Sequence, residues 1–130
     1  MRAAKQYLTY VSAGPFQHAV AEALRLPDTY FTRLRDDLRA KRDLLADGLT
    51  RAGFEVFRPQ GTYFVTTGIR PLGERDGVAF CRALPGRCGL VTIPHAVFYD
   101  HREQGAPLVR FAFCKRTEVL QDAVKRLAGL

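Results

Sequence analysis

The stretch PLVRFAFCKR, Pro107–Arg116, predicts a buried β-strand with a single arginine at its centre. Alternation of side chains puts Arg110 on a face otherwise made of apolar or small residues, and it puts Val109, Phe111 and Phe113 on the opposite face. Three roles are open to a guanidinium in that setting: it pairs with a buried acid, it snorkels from a sheet edge, or it binds a carboxylate through two parallel hydrogen bonds. Alternation alone does not decide among them.

The segments before this strand predict the rest of a small sheet. FEVF at 54–57 and TYFVTT at 62–67 have the composition of short strands, and a turn with proline and glycine separates them. GLVTI at 89–93 is expected to be a buried strand. The polar run from Pro94 to Pro107 is expected to be a long loop, and such loops often carry function. With the strand at 108–114, the sheet has four strands.

Helical periodicity surrounds these strands. Apolar residues recur every three or four positions from about Asp28 to Ala52, which predicts a long amphipathic helix that Gly53 stops. Shorter helices are expected at 1–11, at 16–25, from Val78 to a stop at Pro85-Gly86, and after an N-cap at Thr117. The order of elements predicts an α+β fold in which helices cover one side of a small sheet. The stripe of the long helix consists of Phe31, Leu34, Leu38, Leu45, Leu49 and Ala52.

Length and composition restrict the class of protein. A chain of 130 residues and 14.6 kDa fits one domain, and 47% hydrophobic with 25% charged residues is typical of a globular protein. The sequence has no apolar run of 18 residues and no signal-peptide core after Met1, so a cytoplasmic location is expected, without a membrane partner. The three cysteines form no CxxC pair and are expected to be reduced packing residues. They are Cys81, Cys88 and Cys114.

The net charge of +7 raises the question of a nucleic-acid partner. The densest basic run, RLRDDLRAKR at Arg33–Arg42, contains two aspartates and is typical of a solvated helix face, so nucleic acid is not expected to bind. The alternative function is a free-standing basic α+β module that binds RNA or another protein. Such a sheet would expose aromatic residues beside Arg or Lys, whereas Phe111 and Phe113 are expected to pack under the helices.

Sequence motifs for metal or nucleotide chemistry do not occur. His18, His95 and His101 have no carboxylate or cysteine at a convincing ligand spacing, so no metal site is expected. Neither a GxxxxGK[ST] or GxGxxG loop nor a GxSxG elbow is present. These absences leave hydrolase and nucleotide-binding functions without support.

Four segments of the chain, taken in order, carry a resemblance to a known family. They are GPFQHAVAEAL (14–24), LRAKRDLLADGLTRAGFEVFRPQGTYF (38–64), VTIPHAVFYD (91–100) and LVRFAFCK (108–115). In this order they resemble the C-terminal third of class I/II aminotransferases, nearest to the kynurenine and methionine aminotransferases, and the resemblance covers nearly all 130 residues. It implies the C-terminal small domain of the type I fold, and an enzyme that uses pyridoxal 5'-phosphate to transfer an amino group from an amino acid to a 2-oxo acid.

The resemblance also implies roles for two residues. The arginine of VRFAF binds the substrate α-carboxylate in the family, which assigns that role to Arg110, and the strand GTYF lines the substrate pocket, which assigns Phe64 to it. The family's Schiff-base lysine lies in an upstream S-x-[ST]-K segment, and no lysine here has such a context, so the chain alone is expected to hold neither catalytic nor cofactor-binding residues. An isolated small domain would also expose apolar surface, which favours self-association or a homodimer. The four lysines are Lys5, Lys41, Lys115 and Lys125.

Overall fold

A computed structural model describes residues 13–130, which fall into two compact units, residues 13–34 and Arg35–Leu130. The helix expected at 1–11 lies outside the described residues. Helix α1 (Gly14–Ala23) has proline in its first turn and no buried residue. Helix α2 (Asp28–Arg51) begins in the first unit and ends, as expected, just before Gly53. Its apolar stripe begins later than predicted, because Phe31 and Leu34 are exposed and burial starts at the half-buried Leu38.

The second unit contains a four-stranded sheet in the spatial order β1-β2-β4-β3. Every neighbouring pair is antiparallel. The sheet confirms the predicted α+β fold and the strand that carries Arg110. The strands are β1 (Glu55–Phe57), β2 (Phe64–Gly68), β3 (Ile93–Pro94) and β4 (Leu108–Ala112).

Helices pack against one face of this sheet and enclose the core. Val65 of β2 and Val109 and Phe111 of β4 point into that core, as alternation predicts. Leu45 and Leu49 bring the end of α2 onto the same cluster, as the stripe predicted. The other helices of the second unit are α3 (Gly77–Cys88), the short α4 (Arg102–Gly105) and α5 (Thr117–Leu127), and Phe80, Leu84, Leu120 and Leu127 are their core residues.

Helix α3 extends beyond its predicted stop. Its N-terminus is capped by Asp76, whose carboxylate accepts from the backbone N–H groups of Val78 and Ala79 at 2.9 and 3.1 Å. Pro85 lies inside the last turn rather than after it, where its missing N–H costs one hydrogen bond while the helix continues to Cys88. Gly89, with a φ of 71°, then ends the helix in a left-handed conformation that glycine adopts without strain.

Three other expectations were wrong in detail. The buried strand predicted at 89–93 is wrong in extent and in burial: Gly89 ends the preceding helix, the strand comprises only Ile93 and Pro94, and Val91 and Ile93 are exposed. The N-cap of α5 is Arg116, not Thr117, and it makes no capping bond through its side chain. The run from Pro94 to Pro107 contains a 3-10 turn at His95–Phe98 as well as α4.

The cysteines divide into two environments. Cys81 and Cys88 are half-buried and pack against the core, as expected. Cys114 is exposed, which contradicts its prediction as a packing residue. Alternation in fact continues past the end of β4: Phe113 is buried in the core, and Cys114 lies on the face of Arg110, which the helices leave uncovered. All three thiols are free.

Candidate functional site

Arg110 lies in the middle of the sheet and projects away from the helices. It is opposite Thr66 of β2 on one side and Ile93 of β3 on the other, so three strands fix its backbone. Its neighbours Val109 and Phe111 point into the core, whereas Arg110 itself is half-buried on the opposite face. A rigid strand therefore places one cation on the face that the helices leave uncovered.

Two aromatic rings hold the guanidinium. The Cζ atom of Arg110 lies 4.7 Å from the ring centroid of Phe64 and 4.3 Å from that of Phe98. Cations over aromatic faces at these distances are attracted by the ring quadrupole, and the flat guanidinium also stacks on the ring. Within residues 13–130, no ion pair joins Arg110 to a carboxylate. The group is therefore oriented by stacking, and its hydrogen-bond donors are not taken by an acid of this part of the chain.

The 3-10 turn at His95–Phe98 brings Phe98 to this position. The turn follows directly after β3, the strand paired with the Arg110 region of β4. The Ala96 side chain is buried and anchors the turn, while Phe98 remains 56% exposed. Phe98 thus forms a wall of the site that has solvent on its outer side.

His95 adds a polar group beside the stacked guanidinium. Its Nε2 atom lies 3.1 Å from the Thr66 hydroxyl, and its ring contacts those of Phe98 and Tyr99 at centroid distances of 6.2 and 6.3 Å. Burial lowers the pKa of His95 below its usual value of 6.5, and the positive charge of Arg110 lowers it further. The lowered pKa favours the neutral imidazole at neutral pH, in which Nε2 either donates to or accepts from the Thr66 hydroxyl according to the tautomer.

The structure brings together the two site residues predicted from the sequence, Arg110 and Phe64. Three further residues of the site were not predicted: Thr66, His95 and Phe98. Phe98 belongs to the segment VTIPHAVFYD (91–100) that carries the family resemblance, but the sequence of this segment does not show which way its turn folds. His95 was considered only as a metal ligand, and its bond to Thr66 joins residues 29 positions apart.

Two of the described lysines, Lys41 and Lys115, have surroundings that can be compared with the needs of pyridoxal phosphate. Lys41 is engaged in an ion pair with Asp37 at 2.7 Å. Lys115 lines a cleft whose other lining residues are aliphatic, aromatic or glycine, with no hydroxyl and no second cation to bind a phosphate. The chemistry of this lining does not match the cofactor, so no step of the reaction is assigned to the cleft.

Neither a metal cluster nor a membrane-spanning helix is found in the described residues. Across residues 13–130, no three His, Cys, Asp or Glu side chains are grouped so that they could hold a metal ion. In the same span, no helix is long and apolar enough to cross a membrane. Phe111 and Phe113 are buried under the helices, as expected, and the aromatic rings beside Arg110 are instead those of Phe64 and Phe98.

Comparison with known proteins agrees with this fold. The model of the family described as aminotransferase class I and II matches residues 1–127. The chain therefore belongs to the class I and II aminotransferases, which confirms the resemblance drawn from the sequence. It spans about a third of the length of the curated relatives that it matches.

Three of those relatives show the range of similarity. The chain is 48% identical to a probable N-succinyldiaminopimelate aminotransferase of Mycobacterium tuberculosis, covering 100% of this chain and 35% of the relative. It is 33% identical to the methionine aminotransferase of Escherichia coli, covering 100% of this chain and 33% of the relative. A kynurenine–oxoglutarate transaminase of Dictyostelium discoideum is 36% identical, with 96% and 33% covered.

Solved structures give the same result. The structure of the N-succinyldiaminopimelate aminotransferase from Mycobacterium tuberculosis superimposes with a TM-score of 0.87 at 50% identity, covering 98% of this chain and 33% of that one. The methionine aminotransferase structure from Escherichia coli gives a TM-score of 0.82 at 34% identity, with 96% and 32% covered. The fold is thus that of part of these enzymes.

Proposed function

We propose that this chain supplies the substrate-carboxylate site of a pyridoxal phosphate-dependent aminotransferase. Arg110 binds the α-carboxylate of the substrate, and Phe64 lines the substrate pocket beside it. The observation that carries the proposal is the guanidinium held between Phe64 and Phe98 with no carboxylate partner in residues 13–130. A guanidinium already fixed in orientation loses less conformational entropy when it forms a bidentate pair with a carboxylate.

The residues of this chain would act by binding and orientation. Pyridoxal phosphate, when bound by the complete enzyme, supplies the electron sink for chemistry at the substrate α-carbon. Arg110 would hold one end of the substrate and so fix the position of that carbon. Amino acids and 2-oxo acids both carry this carboxylate, so the same arginine would serve both halves of an amino-group transfer. The chain is thereby proposed to act in positioning only.

The carboxylate role is tested by exchanging domains. This chain replaces the matching third of the Mycobacterium tuberculosis relative, to which it is 48% identical, and turnover is measured with amino-acid donors and 2-oxo acid acceptors. We expect Arg110→Gln to lower kcat/KM on the order of 100-fold, the loss expected when hydrogen bonds between charged groups are removed. Arg82→Gln, at an exposed arginine of α3, is the matched control. Equal activity of the two variants would refute the proposal.

A second part of the proposal concerns the chain alone. Since no lysine has the family's Schiff-base context, we propose that the 130-residue chain neither binds the cofactor covalently nor turns over substrate. Pyridoxal phosphate is added, reduced with borohydride, and the labelled peptides are identified by mass spectrometry. Only scattered, substoichiometric labelling of lysines is expected. Labelling of one lysine in one-to-one ratio would contradict the proposal.

Self-association is the third part. Val91 and Val97 are exposed apolar residues close to the site in sequence, and exposed apolar surface favours association. We propose that the chain forms homodimers. Light scattering at increasing protein concentration tests this by measuring the molecular mass. Val97→Asp is expected to shift the protein toward the monomer, whereas a wild type that stays monomeric throughout would contradict the proposal.

A further inference from the structure

The Thr66–His95 hydrogen bond connects two walls of the arginine site. Thr66 lies in β2, two residues from Phe64 and directly opposite Arg110. His95 begins the turn that ends at Phe98, and the two rings meet edge to face at an interplanar angle of 74°. The bond from Nε2 to the hydroxyl therefore fastens the turn that carries one ring to the strand that carries the other.

From this geometry we infer that His95 is a positioning residue for Arg110: by bonding Thr66 it keeps the 95–98 turn against β2 and the Phe98 ring over the guanidinium. The inference concerns how the Arg110 side chain is held in position. That this position matters for substrate binding rests on the carboxylate-binding function proposed above.

The surroundings of Phe98 explain why such a bond is needed. More than half of its surface is exposed, so burial holds this ring less firmly than it holds Phe111 on the core side. Its ring contacts are with Arg110 and His95. The preceding strand β3 has only two residues and contributes few backbone bonds. Without the bond from His95, the turn would keep the buried Ala96 as its anchor, but the direction of Phe98 would no longer be fixed.

The inference also predicts that protonation of His95 is coupled to carboxylate binding at Arg110. The charged and titratable groups facing the imidazole are Arg110, from β4, and Tyr99, from its own segment; Thr66, from β2, does not titrate in this range. Protonated His95 would place a second positive charge beside Arg110. A carboxylate bound to Arg110 would offset that repulsion, so its binding and the protonation of His95 should favour each other.

The test measures the Arg110 side chain directly in the 130-residue chain. Stacked rings shift the Nε–H proton of an arginine upfield in an NMR spectrum, and the Arg110 signal is assigned by its loss in Arg110→Lys. Phe98→Ala defines the signal without that ring. We expect His95→Leu and Thr66→Val to move the signal at least halfway to the Phe98→Ala position. His95→Gln and Thr66→Ser, which retain a hydrogen-bonding group, should leave it near the wild-type position.

Different outcomes separate this inference from the proposed function. The inference is wrong if Phe98→Ala moves the signal but His95→Leu and Thr66→Val both leave it unchanged. This outcome requires that the backbone spectra of both variants show a folded protein. If His95→Leu fails to fold, Thr66→Val breaks the same hydrogen bond from another element, and its signal alone decides between the two outcomes.

A titration with propionate, against the neutral propionamide as control, then tests function. The two hydrogen-bond-breaking variants should bind propionate about threefold more weakly, as expected for loss of one cation–π contact. Wild-type affinity should rise as the pH falls below 6.5, and that rise should be absent in His95→Gln. If propionate leaves the Arg110 signal unmoved although the variants behave as expected, the carboxylate function fails and the positioning role stands.

Discussion

Thr66 and Arg110 lie directly opposite each other in the antiparallel pairing of β2 and β4. Opposed residues project from the same face of a sheet, and residues two positions along a strand share that face. Phe64 therefore stands diagonal to Arg110, within reach of its long side chain. The register of β2 and β4 thus places the Phe64 ring against the Arg110 guanidinium, and the turn after β3 places the Phe98 ring against it as well.

The first prediction concerns what Arg110 contributes to stability. Arg110→Ala should lower the free energy of unfolding by only about 1 kcal/mol, because it removes two contacts of a partly hydrated cation and breaks no ion pair seen in residues 13–130. Phe111→Ala, one position along the same strand but buried in the core, should cost about 3–5 kcal/mol. Urea denaturation of both variants measures the difference. A loss on the order of 3 kcal/mol for Arg110→Ala would instead identify a structural ion-pair residue.

The second prediction concerns the contact between α2 and α5. A Cβ atom added at Gly48 would lie too close to the methyl groups of Val124, 2.8 Å from Cγ1 and closer still to Cγ2. Gly48→Ala should therefore lower the free energy of unfolding by about 1–2 kcal/mol, since overpacking outweighs the gain in helix propensity. Adding Val124→Ala should recover part of that loss.

Gly86 provides the control for this substitution. It also lies in a helix, but a Cβ atom there would meet no atom within 4 Å. Gly86→Ala should accordingly stabilise the protein by about 0.5–1 kcal/mol. If the two alanine variants unfold at the same urea concentration, the close approach at Gly48 does not determine its identity.

The fold was predictable where one periodicity ran uninterrupted. Alternation placed Val109, Arg110 and Phe111 on their correct faces, and helical spacing identified Leu45 and Leu49 as core residues. Prediction failed where a local rule competed with tertiary structure. Proline disfavours a helix interior, yet Pro85 is tolerated in the last turn of α3 because a single hydrogen bond is lost there.

The candidate site was predictable only in part, for a physical reason. Phe64 and Arg110 belong to segments for which the family resemblance implies a role. Phe98 and His95 reach the site through the 3-10 turn after β3, and the direction of such a turn depends on contacts distant in sequence. No local pattern in PHAVF indicates that its histidine bonds to Thr66.

The third prediction concerns thiol reactivity. Burial raises the pKa of Cys81 to about 11, with a further contribution from the negative charge of Asp76. At pH 8 only about one Cys81 thiol in a thousand would be ionised, and the thiolate is the nucleophile. Iodoacetamide should therefore modify the exposed Cys114 well before Cys81 in the folded protein.

Mass spectrometry of peptides taken at successive times gives the two rates. Unfolding in urea serves as the control, because it removes the burial of Cys81 and should bring its rate close to that of Cys114. Equal rates in the folded protein would show that the half-buried position of Cys81 does not protect it from modification.

The fourth prediction concerns pH and stability. The pKa of His95 is lowered in the folded state, by burial first and by Arg110 second, relative to about 6.5 in the unfolded chain. Between those two pKa values the unfolded chain binds more protons than the folded one, so stability rises with pH in that window. Its contribution is fully present above about pH 6.5 and is lost as the pH falls toward the folded-state pKa.

The substitution His95→Gln isolates this effect, because glutamine retains a hydrogen-bonding group for Thr66 but does not titrate. The free energy of unfolding of wild type minus that of His95→Gln should decrease when the pH is lowered from 7.5 to 5.5. The difference is the quantity to measure, since other groups that titrate in both proteins cancel in it. His18→Gln, on the exposed helix α1, controls for exchanging an imidazole for an amide. A difference that stays constant or grows over this interval would mean that Arg110 and burial do not disfavour the charged form of His95 in the folded protein.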